Sequence, residues 1–199
     1  MTKTILIATT NKGKQAEMFA LLENEIYILR TPQDLLISLE VNETGSTYSE
    51  NARLKAAAFC KASGLPALAD DSGLEVEALD GAPGLFSARF SLKPNATDAD
   101  RRALLISKLQ SISSPWKARF VCTMAFALPN GKLYYSHGIC RGEIIPKERG
   151  TGGFGYDPIF LCDGTNRTMA ELGMPEKNRI SHRAKASVGI VPYILSAFN

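Results

Sequence analysis

Residues 4–9 read TILIAT, with apolar or β-branched side chains at every position, and run directly into the polar stretch TNKGK at 10–14. A strand that is apolar on both faces is typical of a sheet covered by helices on both sides. Residues 15–23 follow with their large apolar side chains at helical spacing. This part of the sequence therefore predicts the strand–loop–helix unit of an α/β fold.

The rest of the chain mixes strands and helices. The capping-box spacing of Thr47 and Glu50 begins an alanine-rich helix that should end at Gly64. A second such start at Thr97 predicts another helix. The Asn-Gly pair at 130–131 predicts a tight hairpin between two long strands.

At the C-terminal end, residues 176–198 predict a helical region that Pro192 should bend or break. Together with the strands and helices above, this pattern predicts an α/β fold with a mixed, twisted sheet and flanking helices. We expect two lobes with an active-site cleft between them, within a single domain of residues 1–199.

Composition sets limits on the function. The formal net charge of +3 favours an anionic ligand, but the sequence has no basic arm of the kind that binds nucleic acid. The four cysteines form no C-x-x-C pair and lie in apolar stretches, so we expect buried, reduced thiols. The first residues have no signal-peptide pattern, and no apolar run is long enough to cross a membrane. We therefore expect a cytoplasmic protein.

The loop between the first strand and the first helix is a candidate anion site. Backbone amides at a helix N-terminus bind anions, Gly13 allows close approach, and Lys12 and Lys14 add positive charge. The spacing does not match the Walker phosphate loop. The alternative is an ordinary polar turn with solvated lysines.

Two adjacent carboxylates, Asp70 and Asp71, end the apolar run 65–69, and a separate alternating segment begins at Leu74. The carboxyl end of a strand is where α/β sheets bind ligands, and Mg²⁺ accepts one or two carboxylates together with phosphate oxygens. A bound Mg²⁺ would also remove the repulsion between the two aspartates. The alternative is that one aspartate caps a turn with Ser72-Gly73 and the other is solvated.

Two further segments carry polar or aromatic groups. Residues 150–158 contain a literal G-x-G-x-x-G, but no strand precedes it and no helix follows it, which excludes a dinucleotide fingerprint. Phe154 and Tyr156 lie either beside a planar ligand or in the core. Residues 176–183, EKNRISHR, offer mixed hydrogen-bonding groups near a helix start or on a solvated helix face. With only two histidines in the chain, a zinc site is not expected.

These segments together resemble the inosine triphosphate pyrophosphatase family, whose members remove deaminated purine nucleotides. The landmarks follow the family's order and spacing over nearly the whole chain. They are TTNKGK (9–14), ENARLKA (50–56), ADDSGLEVEAL (69–79), GAPGLFSARF (81–90), GTGGFGYDPIF (150–160) and EKNRISHRAKA (176–186).

The resemblance implies Mg²⁺-dependent hydrolysis of a nucleoside triphosphate to the monophosphate and pyrophosphate, by a homodimer that binds neither nucleic acid nor a membrane. It implies that Asp71 is the proton acceptor and a metal ligand, with Asp70 as an electrostatic neighbour. Only one acid, Glu43, lies in the segment VNETG where many relatives have two, and we expect it to be the second metal ligand. The implied substrate-binding residues are Thr9, Thr10, Asn11, Lys12, Gly13, Lys14, Ser72, Phe154, Gly155, Tyr156, Asp157, Lys177, His182 and Arg183.

The implied substrates are ITP, dITP and XTP. His182 and Arg183 are expected to donate to a 6-oxo group, and the 6-amino group of adenine would leave such buried donors unpaired, at about 1–3 kcal/mol for each. Guanine also has a 6-oxo group, so its rejection requires another feature. One alternative is a pyrophosphatase for modified pyrimidine nucleotides, against which the SHR motif argues. Another is a nucleic-acid-binding module, which lacks a recognised motif here.

Overall fold

The computed structural model describes residues 3–198, so Met1, Thr2 and Asn199 lie outside the described residues. The strands are β1 (Thr4–Ile7), β2 (Ile28–Arg30), β3 (Ala67–Val76), β4 (Trp116–Ala127), β5 (Leu133–Ile144) and β6 (Phe160–Cys162). The helices are α1 (Lys12–Leu22), α2 (Tyr48–Ser63), α3 (Asp98–Leu109), α4 (Met174–Ile180) and α5 (His182–Ser196).

The described residues form a six-stranded sheet with the order β2-β1-β3-β4-β5-β6. Strand β1 is parallel to both β2 and β3, whereas β5 and β6 are antiparallel. The predicted hairpin is present, because the turn at Asn130 and Gly131 connects the neighbouring strands β4 and β5. The predicted α/β fold with a mixed sheet and flanking helices is therefore confirmed.

The chain divides into two compact units. Unit 1 comprises Met1–Asp71, Cys122–Gly138 and His182–Asn199, and unit 2 comprises Ser72–Val121 and Ile139–Ser181. That the whole of residues 1–199 acts as one pyrophosphatase domain stays a prediction.

In unit 1 the side chains of β1 alternate between the two faces of the sheet, and each face packs against different helices. Ile5 and Ile7 are fully buried in a cluster with residues of α1 and α5, such as Met18 and Ile190. Leu6 and Ala8 point the other way and pack against α2. This second interface consists largely of alanines, which permit the helix to lie close to the sheet: Ala52, Ala56, Ala67, Ala69, Ala125 and Ala127.

Unit 2 has its own hydrophobic core. Leu105 and Leu109 of α3 are fully buried in a cluster with side chains from β4, β5 and β6. Within it the rings of Phe120 and Phe160 lie 4.5 Å apart between centroids.

Three predicted boundaries were wrong. Helix α1 begins at Lys12 and not at Gln15, because Asn11 caps it. Strand β3 continues through Asp70 and Asp71, where a strand end was predicted. The C-terminal helical region breaks at Ser181, whose extended backbone separates α4 from α5, and not at Pro192, through which α5 continues. A bend at Pro192 stays a prediction. Proline leaves the carbonyl four residues earlier without a donor, and that residue, Val188, is 76% exposed to solvent.

Candidate active site

The predicted anion loop lies where β1 meets α1. The Asn11 side chain accepts a hydrogen bond from the Lys14 amide at 3.0 Å, and the Asn11 amide donates to Thr9 Oγ1 at 3.2 Å. The first turn of α1 contains no acidic residue and includes Lys12, Gly13 and Lys14. Because Thr10, Asn11 and Lys12 are exposed, the amides and lysines of this turn are available to an anion from solvent.

The two adjacent aspartates of β3 point to opposite faces of the sheet. Strand β3 pairs with β1 up to Leu68, so Asp70 and Asp71 lie just beyond the carboxyl end of β1. Successive side chains of a strand alternate between faces, and Asp70 contacts groups of α1 and α5 while Asp71 contacts groups of α2. Their repulsion is therefore relieved by separate cations on each face, and the alternative of a turn cap and a solvated aspartate was wrong.

On the α1 and α5 face, Asp70 is held in a buried ionic network. Arg183 donates to Asp70 Oδ2 from Nη2 at 2.8 Å and from Nε at 3.2 Å, and Lys14 Nζ lies 3.2 Å from the same oxygen. Arg183 Nη1 donates to Glu17, so each guanidinium nitrogen contacts a carboxylate. Burial alone would raise the pKa of Asp70, but Lys14 and Arg183 outweigh it and hold this pKa well below its usual value. Asp70 is therefore a buried anion at neutral pH.

On the α2 face, Asp71 shares a lysine with Glu43. Lys55 Nζ lies 2.9 Å from Asp71 Oδ1 and 3.0 Å from Glu43 Oε1. Asn51 Nδ2 donates to the second oxygen of Asp71 at 3.3 Å, and Asn51 Oδ1 accepts from the Gly45 amide at 2.8 Å. Burial raises the pKa of Asp71 despite the opposing effect of Lys55 and Lys14. A buried carboxylate with a raised pKa is a better proton acceptor than an ordinary aspartate.

Sequence reasoning missed Asn51, Lys55 and Glu17. Asn51 and Lys55 are four residues apart, so they lie on the same face of α2. Both fall within the landmark ENARLKA, where polar residues interrupt an otherwise alanine-rich buried face. That interruption was the available signal. Glu17 had none, because its partner Arg183 lies 166 residues away in the sequence.

Asp71 and Glu43 fit a divalent cation that is shared with phosphate. Their carboxylates converge on one positive point, the ammonium group of Lys55. Within residues 3–198 there is no group of three or more His, Cys, Asp or Glu side chains that could hold a metal ion. Mg²⁺ commonly takes one or two carboxylates and completes its shell with phosphate oxygens and water. The donor set therefore suits Mg²⁺ that binds together with a phosphate ligand.

Unit 2 contains the predicted glycine-rich loop with a buried ion pair at its base. Lys177 Nζ of α4 lies 2.6 Å from Asp157 Oδ2, and both side chains are almost fully buried. The Phe154 amide donates to the same Asp157 oxygen at 3.0 Å, and the Phe154 ring lies 5.5 Å from Lys177 Nζ. The ion pair thus fixes the backbone beneath the half-buried Phe154 ring.

The remaining predicted residues have different surroundings. Tyr156 packs in the core of unit 2, and its hydroxyl donates to the Ser87 carbonyl at 2.9 Å. Of the two positions predicted for this ring, beside a planar ligand or in the core, the structure has the second. Ser72 is half-buried in β3. In unit 1, His182 is buried at the start of α5. A Cβ at Gly138 of β5 would lie 2.0 Å from the His182 carbonyl oxygen, so this glycine permits the close approach of α5.

Replacement of Gly153 by alanine is expected to displace the Asp157–Lys177 pair. Gly153 has φ +73°, and a Cβ there would lie 2.0 Å from Asp157 Oδ2. We expect Gly153→Ala to lower the free energy of unfolding by about 1–3 kcal/mol more than a matched change without the clash, as overpacking does. Urea unfolding measures this difference.

Gly155→Ala is the matched control for that measurement. Gly155 has φ +62°, and a Cβ there meets no atom within 4 Å. Both variants therefore carry the strain of a left-handed backbone, and only Gly153→Ala carries the clash. Equal unfolding free energies for the two variants would contradict the prediction.

Comparison with known proteins places the chain in a family. The model of the Ham1 family matches residues 5–193. The chain belongs to the Ham1 family. A protein of Geobacter sulfurreducens named dITP/XTP pyrophosphatase is 46% identical over 185 residues, 92% of each chain. A protein of Nostoc sp. with the same name is 45% identical over 196 residues, 96% of this chain and 94% of its own.

Solved structures agree with this assignment. A Ham1 protein from Coxiella burnetii is 42% identical and superposes with a TM-score of 0.85, covering 98% of this chain and 100% of its own. A Ham1 protein from Staphylococcus aureus gives 37% identity and a TM-score of 0.84, covering 99% of this chain and all of its own. The predicted resemblance and the predicted class of enzyme, a nucleotide pyrophosphatase, are confirmed by these Ham1 relatives.

No helix within the described range 3–198 is both long enough and apolar enough to cross a membrane.

Proposed function

We propose that this chain hydrolyses the triphosphates of deaminated purine nucleosides, namely ITP, dITP and XTP, to the monophosphate and pyrophosphate. The observation that carries the proposal is the cluster that Asp71 of β3 forms with Lys55 of α2 and with Glu43, together with the anion loop at the start of α1. The names of the Geobacter and Nostoc relatives support the choice of substrates.

The anion loop is proposed to bind the triphosphate. The amides of the first turn of α1 and the side chains of Lys12 and Lys14 supply hydrogen bonds and positive charge, with Thr9, Thr10, Asn11 and Gly13 shaping the loop. Lys14 is fixed by Asp70 at 3.2 Å, so its ammonium group is held in place before the substrate arrives. Positioning of this kind supplies much of the catalysis in phosphoryl-transfer enzymes.

Asp71 is proposed to accept a proton from the attacking water. The water oxygen forms a bond to the α-phosphorus, the bond from that phosphorus to the α,β-bridging oxygen breaks, and pyrophosphate leaves. Asn51 and Lys55 orient the Asp71 carboxylate through both of its oxygens. Asp71 and Glu43 are the residues that would hold Mg²⁺, which when bound neutralises charge on the phosphates.

The purine base is assigned to residues of the glycine-rich loop and the C-terminal segments. Phe154 offers a ring for stacking, and Lys177 offers a donor to a 6-oxo group. That His182 also donates to this group stays a prediction. Asp157 holds Lys177 and accepts from the Phe154 amide, and Gly155 adjoins Phe154. That Tyr156 and Ser72 also contact the substrate stays a prediction. That Arg183 donates to the 6-oxo group stays a prediction. All three of its guanidinium nitrogens contact Asp70 or Glu17, so we assign it the further role of holding the charge of Asp70 beside Lys14.

A substrate panel with identified products tests the proposal. With Mg²⁺, we expect ITP, dITP and XTP to yield one monophosphate and one pyrophosphate. Because one unpaired buried donor lowers binding by about 1–3 kcal/mol, ATP should react about 10- to 100-fold more slowly. Removal of divalent cations with EDTA should stop turnover, and added Mg²⁺ should restore it.

Three results of that panel would contradict the proposal. They are release of a single orthophosphate from each nucleotide, turnover of ATP as fast as ITP, and full activity in EDTA. Preferred turnover of modified pyrimidine triphosphates would favour the alternative pyrophosphatase. The cytoplasmic location, the homodimer and the absence of nucleic-acid and membrane binding stay predictions.

A further inference from the structure

The glycine-rich loop of unit 2 has little conformational preference of its own. Gly150, Gly153 and Gly155 all have positive φ angles, a region that glycine occupies without strain but does not specifically prefer. Hydrogen bonds to the backbone groups of such a loop restrict its conformation. These contacts therefore contribute to where Phe154 and Asp157 lie.

Helix α3 binds both backbone groups of Gly155. Asp98 Oδ2 accepts a hydrogen bond from the Gly155 amide at 2.7 Å. Arg102 Nη1 donates to the Gly155 carbonyl oxygen at 2.8 Å. Both contacts have a charged partner, and such hydrogen bonds are shorter and stronger than neutral ones. One residue of the loop is thus held from its N–H side and its C=O side by the first two turns of α3.

The two side chains are themselves restrained. Arg101 Nη2 lies 2.5 Å from Asp98 Oδ1, which leaves the other oxygen directed at Gly155. Glu148 contacts Arg102 through two bonds, at 2.8 Å from Nε and 3.0 Å from Nη2, and leaves Nη1 for the loop. The Arg102 side chain is only 13% exposed. These partners fix the rotamers of the Asp98 and Arg102 side chains before any ligand binds.

The start of α3 places these side chains. Thr97 caps the helix with Asp100 in a reciprocal capping box, so the first turn has a fixed direction. Asp98 and Arg102 are four residues apart and therefore lie on the same side of the helix. The capping box, recognised in the sequence only as a helix start, thus orients the face that contacts Gly155.

We propose that Asp98 and Arg102 are positioning residues for the base-binding loop. They hold Gly155, and through it the adjacent Phe154 and the Asp157 carboxylate that accepts from the Phe154 amide at 3.0 Å. This inference rests on the proposed function, which assigns Phe154 and Asp157 to the purine. Neither Asp98 nor Arg102 is assigned a part in the chemical step.

The test compares Asp98→Ala with Asp98→Asn in the full chain. Asparagine keeps an oxygen that can accept from the Gly155 amide, whereas alanine does not. Arg119→Gln is the control, because Arg119 lies on β4 of the same unit, outside the loop, and forms an exposed ion pair with Glu75. Steady-state kinetics with ITP and inhibition by inorganic tripolyphosphate are measured for each protein.

We expect Asp98→Ala to lower kcat/KM for ITP about 10- to 100-fold, mostly through a higher KM, since displacement of a binding group by an ångström has effects of this size. Its inhibition constant for tripolyphosphate, which has phosphates but no base, should match that of the unaltered protein. Asp98→Asn should recover most of the loss, and Arg119→Gln should show none.

Two results would overturn the inference. One is an unchanged KM for ITP in Asp98→Ala, and the other is an equal weakening of ITP and tripolyphosphate, which a general loss of folding would produce. If the unaltered protein itself does not hydrolyse ITP, the proposed function fails, which is a separate result. Hydrogen exchange of the peptide covering 150–157 gives a second readout, and faster exchange in Asp98→Ala than in Asp98→Asn supports the inference.

Discussion

Asp71→Asn is expected to reduce the hydrolysis of ITP by about 10³-fold, the scale on which general bases contribute to catalysis. The amide has nearly the same shape as the carboxylate but cannot accept the proton of the attacking water. The fold should be retained, because Lys55 keeps its contact with Glu43 at 3.0 Å and Asn51 keeps its bond to the Gly45 amide. Turnover under saturating ITP and Mg²⁺ measures the effect, and circular dichroism checks the fold.

The control for this variant is Asp163→Asn. Asp163 is an exposed acid in unit 2, so the same chemical change is made without altering the cluster around Asp71. We expect normal turnover for Asp163→Asn. Near-normal turnover of ITP by Asp71→Asn would show that another group accepts the proton, and the assignment of Asp71 would then be wrong.

Arg183→Met is expected to lower the free energy of unfolding by about 3–5 kcal/mol, as removal of one partner from a buried ion pair does. Methionine has comparable length but leaves Asp70 and Glu17 without the guanidinium group between them. Asp70 retains Lys14 at 3.2 Å, so the loss is large but not complete. Urea unfolding followed by circular dichroism measures it at neutral pH. Arg167→Met removes an exposed ion pair with Glu176 and should change the unfolding free energy very little.

The pH dependence of Arg183→Met separates a charge effect from a packing effect. In the unaltered protein the pKa of Asp70 is lowered on folding, although burial opposes this, because Lys14 and Arg183 favour the charged form. Its stabilising contribution is therefore fully present above the unfolded pKa of about 3.9 and is lost only as the pH falls through the lower folded pKa. The contribution should therefore be constant between about pH 5 and 8, because the folded and the unfolded pKa of Asp70 both lie below this range.

In Arg183→Met the folded pKa of Asp70 should be higher than in the unaltered protein, because burial then acts on Asp70 with one cation fewer. The charged carboxylate then stabilises the folded state less at neutral pH. The deficit relative to the unaltered protein should shrink as the pH falls through the raised pKa and Asp70 becomes protonated. The double variant Arg183→Met with Asp70→Asn should recover part of the loss at pH 7. A deficit that is independent of pH and unaffected by Asp70→Asn would identify lost packing as its cause.

Local patterns in the sequence predicted several helix starts and stops and the hairpin turn. The capping box at Thr47, the stop at Gly64 and the turn at Asn130–Gly131 depend on neighbouring residues, and each lies where it was expected. Boundaries that depend on distant contacts were wrong. The sequence could not indicate that β3 continues through two aspartates, because the partners that permit their burial come from α1, α2 and α5.

The amino-acid sequence by itself determined the alternation along β1, the starts of α2 and α3, and the motifs that identify the family, because each depends on residues near one another in the chain. Only the tertiary structure decided which cation each aspartate meets. Asp70 pairs with Arg183 across 113 residues, and Asp71 meets Lys55 on the opposite face of the same strand. The physical reason is the alternation of a β-strand, which points neighbouring carboxylates in opposite directions, combined with helix packing that brings a different cation to each.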